Sequence, residues 1–157
     1  MKKIALKILF ASIIVAGIFI QSNAQTVAVS ASITKGSLKS GAVGKGSIML
    51  GIPTELHTNS NKPSSEFFFL FTVRLRSNQI KSFRIIYPKG KDRKFEFSEQ
   101  SLNVYEGNTK IMFSFKVPQG FKGKAISIKA KVTYQACSNE VCYPPQTKEL
   151  TLRMNVR

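Results

Sequence analysis

Several residue types are scarce in this chain, and each shortage removes a class of function. The 157 residues include two cysteines, one histidine and no tryptophan. A single histidine, His57, with no placed serine or aspartate partner, gives no sign of a hydrolytic triad. Two cysteines and one histidine fall short of a four-ligand zinc site, and the gap between the cysteines is at the loose end of ligand spacing, so no metal is expected. No glycine-rich phosphate loop lies between a strand and a helix, so no cofactor is expected either. Convincing helical periodicity, internal repeats and low-complexity tracts are all lacking.

Long apolar runs are also lacking, with one exception. Ile8 to Ile20 is apolar apart from Ser12, and its 13 residues are short of the roughly 20 that a spanning helix needs. Met1-Lys-Lys3 precedes it, and Ser22-Asn-Ala24 supplies small and polar residues after it. This is the order of a secretory signal. We therefore read residues 1–24 as a cleavable signal peptide and residues 25–157 as one domain, with an uncleaved anchor as the alternative. Nothing after the leader is apolar enough to span a membrane. Export places the cysteines where a disulfide forms and persists.

Acidic residues are few: eight stand against 24 basic ones. Three lysines fall in the leader, which leaves 21 basic residues and a net charge of +13 on the expected domain. Such an excess suits nucleic acid, anionic lipid or an acidic protein, or simply a solvated exterior. The lysines alternate with apolar residues along strands and form no block, which favours the solvated exterior. Export removes nucleic acid as the expected partner.

What the chain does have is period-two patterning. Ile111, Phe113, Phe115 and Val117 share one face, opposite Lys110, Met112, Ser114 and Lys116. Ile126, Ile128, Ala130, Val132 and Tyr134 alternate with Ser127, Lys129, Lys131 and Thr133. Leu150, Leu152, Met154 and Val156 alternate with Thr151, Arg153 and Asn155. Half-buried antiparallel strands read this way. Further strands are expected over Val27–Ile33, Ser47–Ile52, Phe67–Leu75 and Ile80–Tyr87. Lys35–Gly46 reads as a loop, with a ragged edge strand as the alternative, and Glu55–Glu66 reads as irregular and turn-rich. Lys91–Ser101 is either a short strand or an excursion whose Phe95 and Phe97 fold back. Seven to nine short strands and no helix predict an all-β sandwich, with a closed barrel as the alternative.

The only cysteines sit between two of these strands, in Tyr134-Gln-Ala-Cys137-Ser-Asn-Glu-Val-Cys142-Tyr-Pro-Pro145. A hairpin would bring Cys137 and Cys142 within bonding distance. A bridge closing about six residues restricts the unfolded chain by only about 2 kcal/mol. That shifts weight from a structural staple toward exchange chemistry, which needs an accessible sulfur and a thiolate. Pro144 and Pro145 cannot donate ladder hydrogen bonds, so the hairpin end should be open, with Cys142 near a sheet edge. Glu140 between the cysteines would raise a thiol pKa. His57 is either a solvated loop histidine or part of a loop that lies over the hairpin and tunes its thiol. Phe95 and Phe97 are either core residues or a cap that shields the pair.

The segment Val132-Thr-Tyr-Gln-Ala-Cys-Ser-Asn-Glu-Val-Cys-Tyr-Pro-Pro145 resembles the cysteine hairpin of the N-terminal periplasmic domain of the DsbD thiol–disulfide interchange proteins. Ile52-Pro-Thr-Glu-Leu-His-Thr-Asn-Ser-Asn-Lys-Pro63, Tyr87-Pro-Lys-Gly90 and Leu102-Asn-Val-Tyr-Glu-Gly107 resemble further parts of that domain, from about Val27 to the C-terminus. The likeness implies an immunoglobulin-like antiparallel β-sandwich with a redox-active Cys137–Cys142 disulfide at one end. Cys142 would form mixed disulfides with partners and Cys137 would resolve them. His57, Asn59, Phe97, Tyr134 and Tyr143 would border the pair, with the cap near Phe95–Glu99. The implied partners are thioredoxin-like periplasmic proteins and a separate membrane electron carrier. Two departures stand out: this chain has four residues between the cysteines where well-known members have five, and the family's acidic-aromatic cap sequence is not recognisable. The competing expectation is a non-catalytic secreted sandwich, with a stapled binding hairpin and a basic surface directed at an anionic envelope.

Overall fold

The computed structural model describes residues 26–34, 36–62 and 68–157. The expected signal peptide, residues 1–24, lies outside them. Twelve strands and no helix occur among the described residues: β1 (Ala28–Ile33), β2 (Ser37–Leu38), β3 (Val43–Gly51), β4 (His57–Asn59), β5 (Thr72–Arg76), β6 (Phe83–Ile86), β7 (Lys91–Arg93), β8 (Leu102–Tyr105), β9 (Asn108–Lys116), β10 (Ala125–Tyr134), β11 (Ala136–Cys137) and β12 (Gln146–Val156). No helix among these residues is long and apolar enough to cross a membrane.

Two open four-stranded sheets form the sandwich, in the orders β1-β3-β9-β6 and β2-β12-β10-β5. Every pair in them is antiparallel except β2 with β12, which runs parallel over two residues. Both sheets keep free edges, so the closed barrel is set aside. The chain is an immunoglobulin-like antiparallel β-sandwich.

Alternation builds its core. Ile111, Phe113 and Phe115 of β9, Ile126 to Tyr134 at every second position of β10, and Leu152, Met154 and Val156 of β12 are buried in one cluster with Ile48 and Leu50 of β3. Each such large side chain stabilises the fold by about 1.5–3 kcal/mol relative to exposure. β3 starts earlier than its loop-like composition suggests, because Val43–Gly46 pairs with β9. The ring of Phe113 lies over Gly46, and that of Phe115 over Gly44. A glycine leaves room for an aromatic ring from the neighbouring strand, and the ring covers its backbone.

A third sheet, ordered β11-β4-β8-β7, grows from one end of the sandwich. That end holds the last residue of β3, Gly51, paired with the first of β9, Asn108. The end of β10 is there too, since the Tyr134 hydroxyl lies 3.3 Å from the carbonyl of Val27, just before β1.

The segment that looked irregular supplies the centre of this sheet. A turn closed by Leu56 N–H donating to the Pro53 carbonyl (2.9 Å) leads into β4, whose residues His57, Thr58 and Asn59 are all buried. Three polar side chains in a row carry no alternation signal, and flanking strands on both sides bury them. The expected strand Phe67–Leu75 is instead Thr72–Arg76. Pro63–Phe67 lie outside the described residues. Phe71 packs edge-on to Tyr87 and Tyr105, and Phe68 packs against Phe95, Leu102 and Val104. Phe68 and Phe71 therefore pack inward and belong to no strand. The strand expected over Ile80–Tyr87 is confined to Phe83–Ile86.

A Cβ at Gly46 would sit 2.3 Å from Phe113 Cζ and 2.6 Å from the backbone carbonyl of Ser32. Gly46→Ala should therefore destabilise the domain by about 1–3 kcal/mol, the usual cost of overpacking. Urea unfolding should show a lower midpoint at an unchanged slope.

Candidate redox site

Cys137 and Cys142 form a disulfide, with S–S 2.01 Å and Cα atoms 3.9 Å apart. They face each other as an antiparallel bridge. On one side the Ser138 N–H donates to the Val141 carbonyl (2.8 Å), and on the other the Tyr143 N–H donates to the Ala136 carbonyl (2.9 Å). The cysteines thus occupy a non-hydrogen-bonded pair, where facing Cα atoms come closest. Ser138 shapes the turn between them. Its Oγ accepts from the N–H groups of Glu140 (3.2 Å) and Val141 (3.1 Å). Such hydroxyl-capped turns are a common use of serine.

The prolines act one step away. Tyr134 pairs with Gln146 at the end of the β10–β12 ladder, whereas Ala136 faces Tyr143. Between these pairs Gln135 alone opposes both Pro144 and Pro145. Two residues against one make a β-bulge, and prolines fit there because they have no N–H to leave unpaired. The Gln135 side chain spans the gap, donating from Nε2 to the Tyr143 carbonyl (3.0 Å). Beyond the bulge the first strand leaves β12 and pairs with β4, Ala136 with Thr58 and Cys137 with His57.

This change of partner makes the two sulfurs unequal. Cys137 is 1% exposed. Cys142, Tyr143, Pro144 and Pro145 are all exposed, and Cys142 belongs to no strand. An incoming thiolate meets Cys142 first.

His57 is 3% exposed, so it is not a solvated loop residue. The ring of Phe95 stacks on its imidazole (centroids 4.1 Å, planes 18° apart), and Phe97 stacks on Phe95 (5.3 Å, 13°). The two phenylalanines divide between their two readings. Phe95 is buried in a small cluster, while Phe97 is 44% exposed at the outer end of the stack. Both belong to an excursion after β7 that folds back, as one reading of Lys91–Ser101 expected. Asn59 is buried and pairs with Val104. Tyr134 lies in the main core, its hydroxyl 3.1 Å from Gln146 Oε1, and so anchors the root of the hairpin. Tyr143 is exposed beside Cys142.

Other residues that support the site leave no sequence signal, because their partners are distant in the chain. Arg93 grips Glu106 with two hydrogen bonds of 2.9 Å, and Lys91 lies 3.5 Å from the same carboxylate. These pairs tie β7 to the end of β8 and so position the Phe95–Phe97 stack that follows. The Arg93 hydrogen bond holds the Glu106 carboxyl below its usual range. Burial pushes the pKa of His57 down, with the charge of Glu106 opposing that shift.

The positive charge concentrates elsewhere. On the outer face of the second sheet Lys129 lies opposite Arg76, and Lys131 opposite Arg74. Like charges directly opposite each other are destabilising. Glu149 is 4.0 Å from Lys131.

Reducing the disulfide should cost about 2 kcal/mol, the entropy of a short loop, and leave the domain folded; near-identical far-ultraviolet circular dichroism before and after reduction checks this. Acidification should also weaken the fold. The folded-state pKa of His57 lies below the unfolded one, so the unfolded chain takes up the proton first. Stability should be constant above the ordinary histidine value of about 6.5 and fall as pH drops through it. His57→Phe should flatten that slope in urea titrations between about pH 7 and pH 5.

The family model for the N-terminal region of thiol:disulfide interchange protein DsbD matches residues 23–153. No curated protein matches the chain. Among solved structures, the DsbD N-terminal domain of Neisseria meningitidis in its reduced form is similar over 70% of this chain and 80% of that one, at 18% identity and a TM-score of 0.43. AggA, the major subunit of aggregative adherence fimbriae type I from Escherichia coli, is similar over 84% of this chain and 95% of that one, at 12% identity and a TM-score of 0.44. The family match runs from before β1 into β12 and includes the whole cysteine hairpin: the chain belongs to the DsbD N-terminal domain family.

Proposed function

We propose that residues 25–157 are exported by the signal in residues 1–24 and act in the periplasm as a thiol–disulfide exchange domain. The Cys137–Cys142 pair relays electrons between a membrane-linked reductant and periplasmic thioredoxin-like proteins. A thiolate of the reduced donor attacks the Cys142 sulfur, and Cys137 leaves as a thiolate. The donor's second thiol then attacks its own sulfur in the mixed disulfide. The donor departs oxidised and the hairpin is left with two thiols. Handing the electrons on is the same sequence in reverse.

The observation that carries this reading is the inequality of the two cysteines: Cys142 is exposed and in no strand, and Cys137 is buried. A purely structural bridge gains nothing from such an arrangement, and a short loop contributes little stability. The basic face supports a second reading, a binding module for anionic surfaces whose disulfide is only a staple. Its four cations, Arg74, Arg76, Lys129 and Lys131, are placed at a cost to the fold.

Trapping separates the two readings. In Cys137→Ser, Cys142 should capture a thioredoxin-like protein from periplasmic extract as a mixed disulfide. Cys142→Ser should capture at least about tenfold less, because the remaining thiol is buried. Absence of any adduct, with a reduction potential below about −300 mV, would place the bridge among inert structural ones and leave the binding-module reading standing.

A further inference from the structure

We propose that His57 is the base that deprotonates the Cys137 thiol when that thiol closes the disulfide and expels a bound partner from Cys142. This rests on the exchange reading and adds the residue that makes its resolving step work.

Register is the first argument. Cys137 and His57 are direct partners in the antiparallel β11–β4 pair. Direct partners point to the same face of a sheet, with Cβ atoms about 4.5–5.5 Å apart. Burial is the second. Cys137 is 1% exposed and His57 3%. A thiol shut away from water ionises reluctantly, so bulk solvent is a poor base for Cys137 and a local one is needed. The third is an unmet hydrogen bond. His57 Nε2 is buried without a partner in the disulfide form. Buried polar atoms are nearly always paired. In the disulfide form the Cys137 sulfur has no proton to offer; reduction turns it into an S–H donor on the face that His57 shares. The orphaned nitrogen therefore has its natural partner in the other redox state.

The surroundings favour a neutral imidazole ready to accept that proton. Phe95 covers one face of the ring. Just after β8, Glu106 acts on it with its charge engaged by Arg93 and Lys91, and Tyr105 lies beside Glu106 in sequence. Lys94, Glu96 and Glu99 lie on the excursion that carries Phe95, and Glu140 lies in the turn between the cysteines. Of these, only Glu106 shifts the titration of the imidazole.

Protons and electrons balance through the step. The Cys137 thiol gives its proton to His57 Nε2. The resulting thiolate attacks the Cys142 sulfur of the mixed disulfide, forming the Cys137–Cys142 bond and breaking the bond to the partner. The partner leaves as a thiolate, with the electron pair of the broken bond, and His57 returns its proton to that thiolate or to water.

Dithiobis(nitrobenzoate) tests this on the reduced protein. Attack by Cys142 releases a first coloured thiolate, and closure by Cys137 releases a second. The second phase in the wild type should lose rate on acidification, with its inflection below the ordinary histidine value. In His57→Gln that phase should slow at least about a hundredfold at neutral pH. Its rate should then climb with pH into the range of a free thiol, about 8.5 or above. The first phase should be unchanged. His57→Phe, which keeps an aromatic ring against Phe95, should slow the second phase equally and so separates base loss from loss of packing. If either folded variant closes at the wild-type rate with the wild-type pH profile, His57 is not the base. A wild-type second phase that follows only a thiol-like inflection rules His57 out as well. A wild type that never releases the second thiolate overturns the exchange reading itself.

Discussion

Two residues that cannot donate a hydrogen bond decide where the longest ladder of this protein stops. Pro144 and Pro145 face Gln135 alone, and the β10–β12 pairing ends in that bulge. Everything particular to the site follows from the interruption. Freed from β12, Ala136 and Cys137 pair with β4 and become the edge of a separate small sheet. The return segment, with Cys142, joins no sheet and pairs only with the Ala136–Ser138 arm of its own hairpin. One constraint on backbone hydrogen bonding thus buries one sulfur and exposes the other.

The energetic proportions suit a bridge that opens. The core is a single cluster joining both sheets of the sandwich, and each of its large side chains contributes about 1.5–3 kcal/mol. The disulfide contributes about 2 kcal/mol by restricting a short loop, no more than one of them. The hairpin also has supports other than the bridge: the Ser138 turn, the two flanking backbone hydrogen bonds and the Gln135 side-chain link. A couple that cycles between states needs this separation between what holds the fold and what reacts.

His57 belongs to the small sheet, and the Phe95–Phe97 stack follows that sheet's edge strand β7. Glu106 closes β8 and receives Arg93 and Lys91 from β7, which sets the course of the chain into Phe95 and Phe97. Those rings lie in series on His57, and His57 lies across from Cys137. An unbroken line of contacts and backbone pairing therefore joins an exposed aromatic to the buried sulfur.

Strands with a period of two were legible from the order of residues alone. The inward residues of β9, β10 and β12 are those whose alternation announced them, because a sheet with one wet face imposes that pattern. The cysteine hairpin and the break in pairing at its prolines were legible for an equally local reason: covalent reach and a missing N–H group belong to neighbouring residues. What the tertiary structure alone decided was everything that depends on distant partners. Val43–Gly46 became strand because Phe113 and Phe115 cover its glycines. His-Thr-Asn at 57–59, polar and patternless, became a buried central strand because β8 and β11 arrived on either side of it. Phe67–Phe71 looked like strand for its β-branched and aromatic neighbours, yet Phe71 turned inward onto Tyr87 and Tyr105. The sequence by itself determined the sandwich and the cysteine pair. Only the folded arrangement decided which sulfur is exposed and which side chain stands beside the hidden one, because burial and cross-strand pairing are properties of the neighbours that folding supplies.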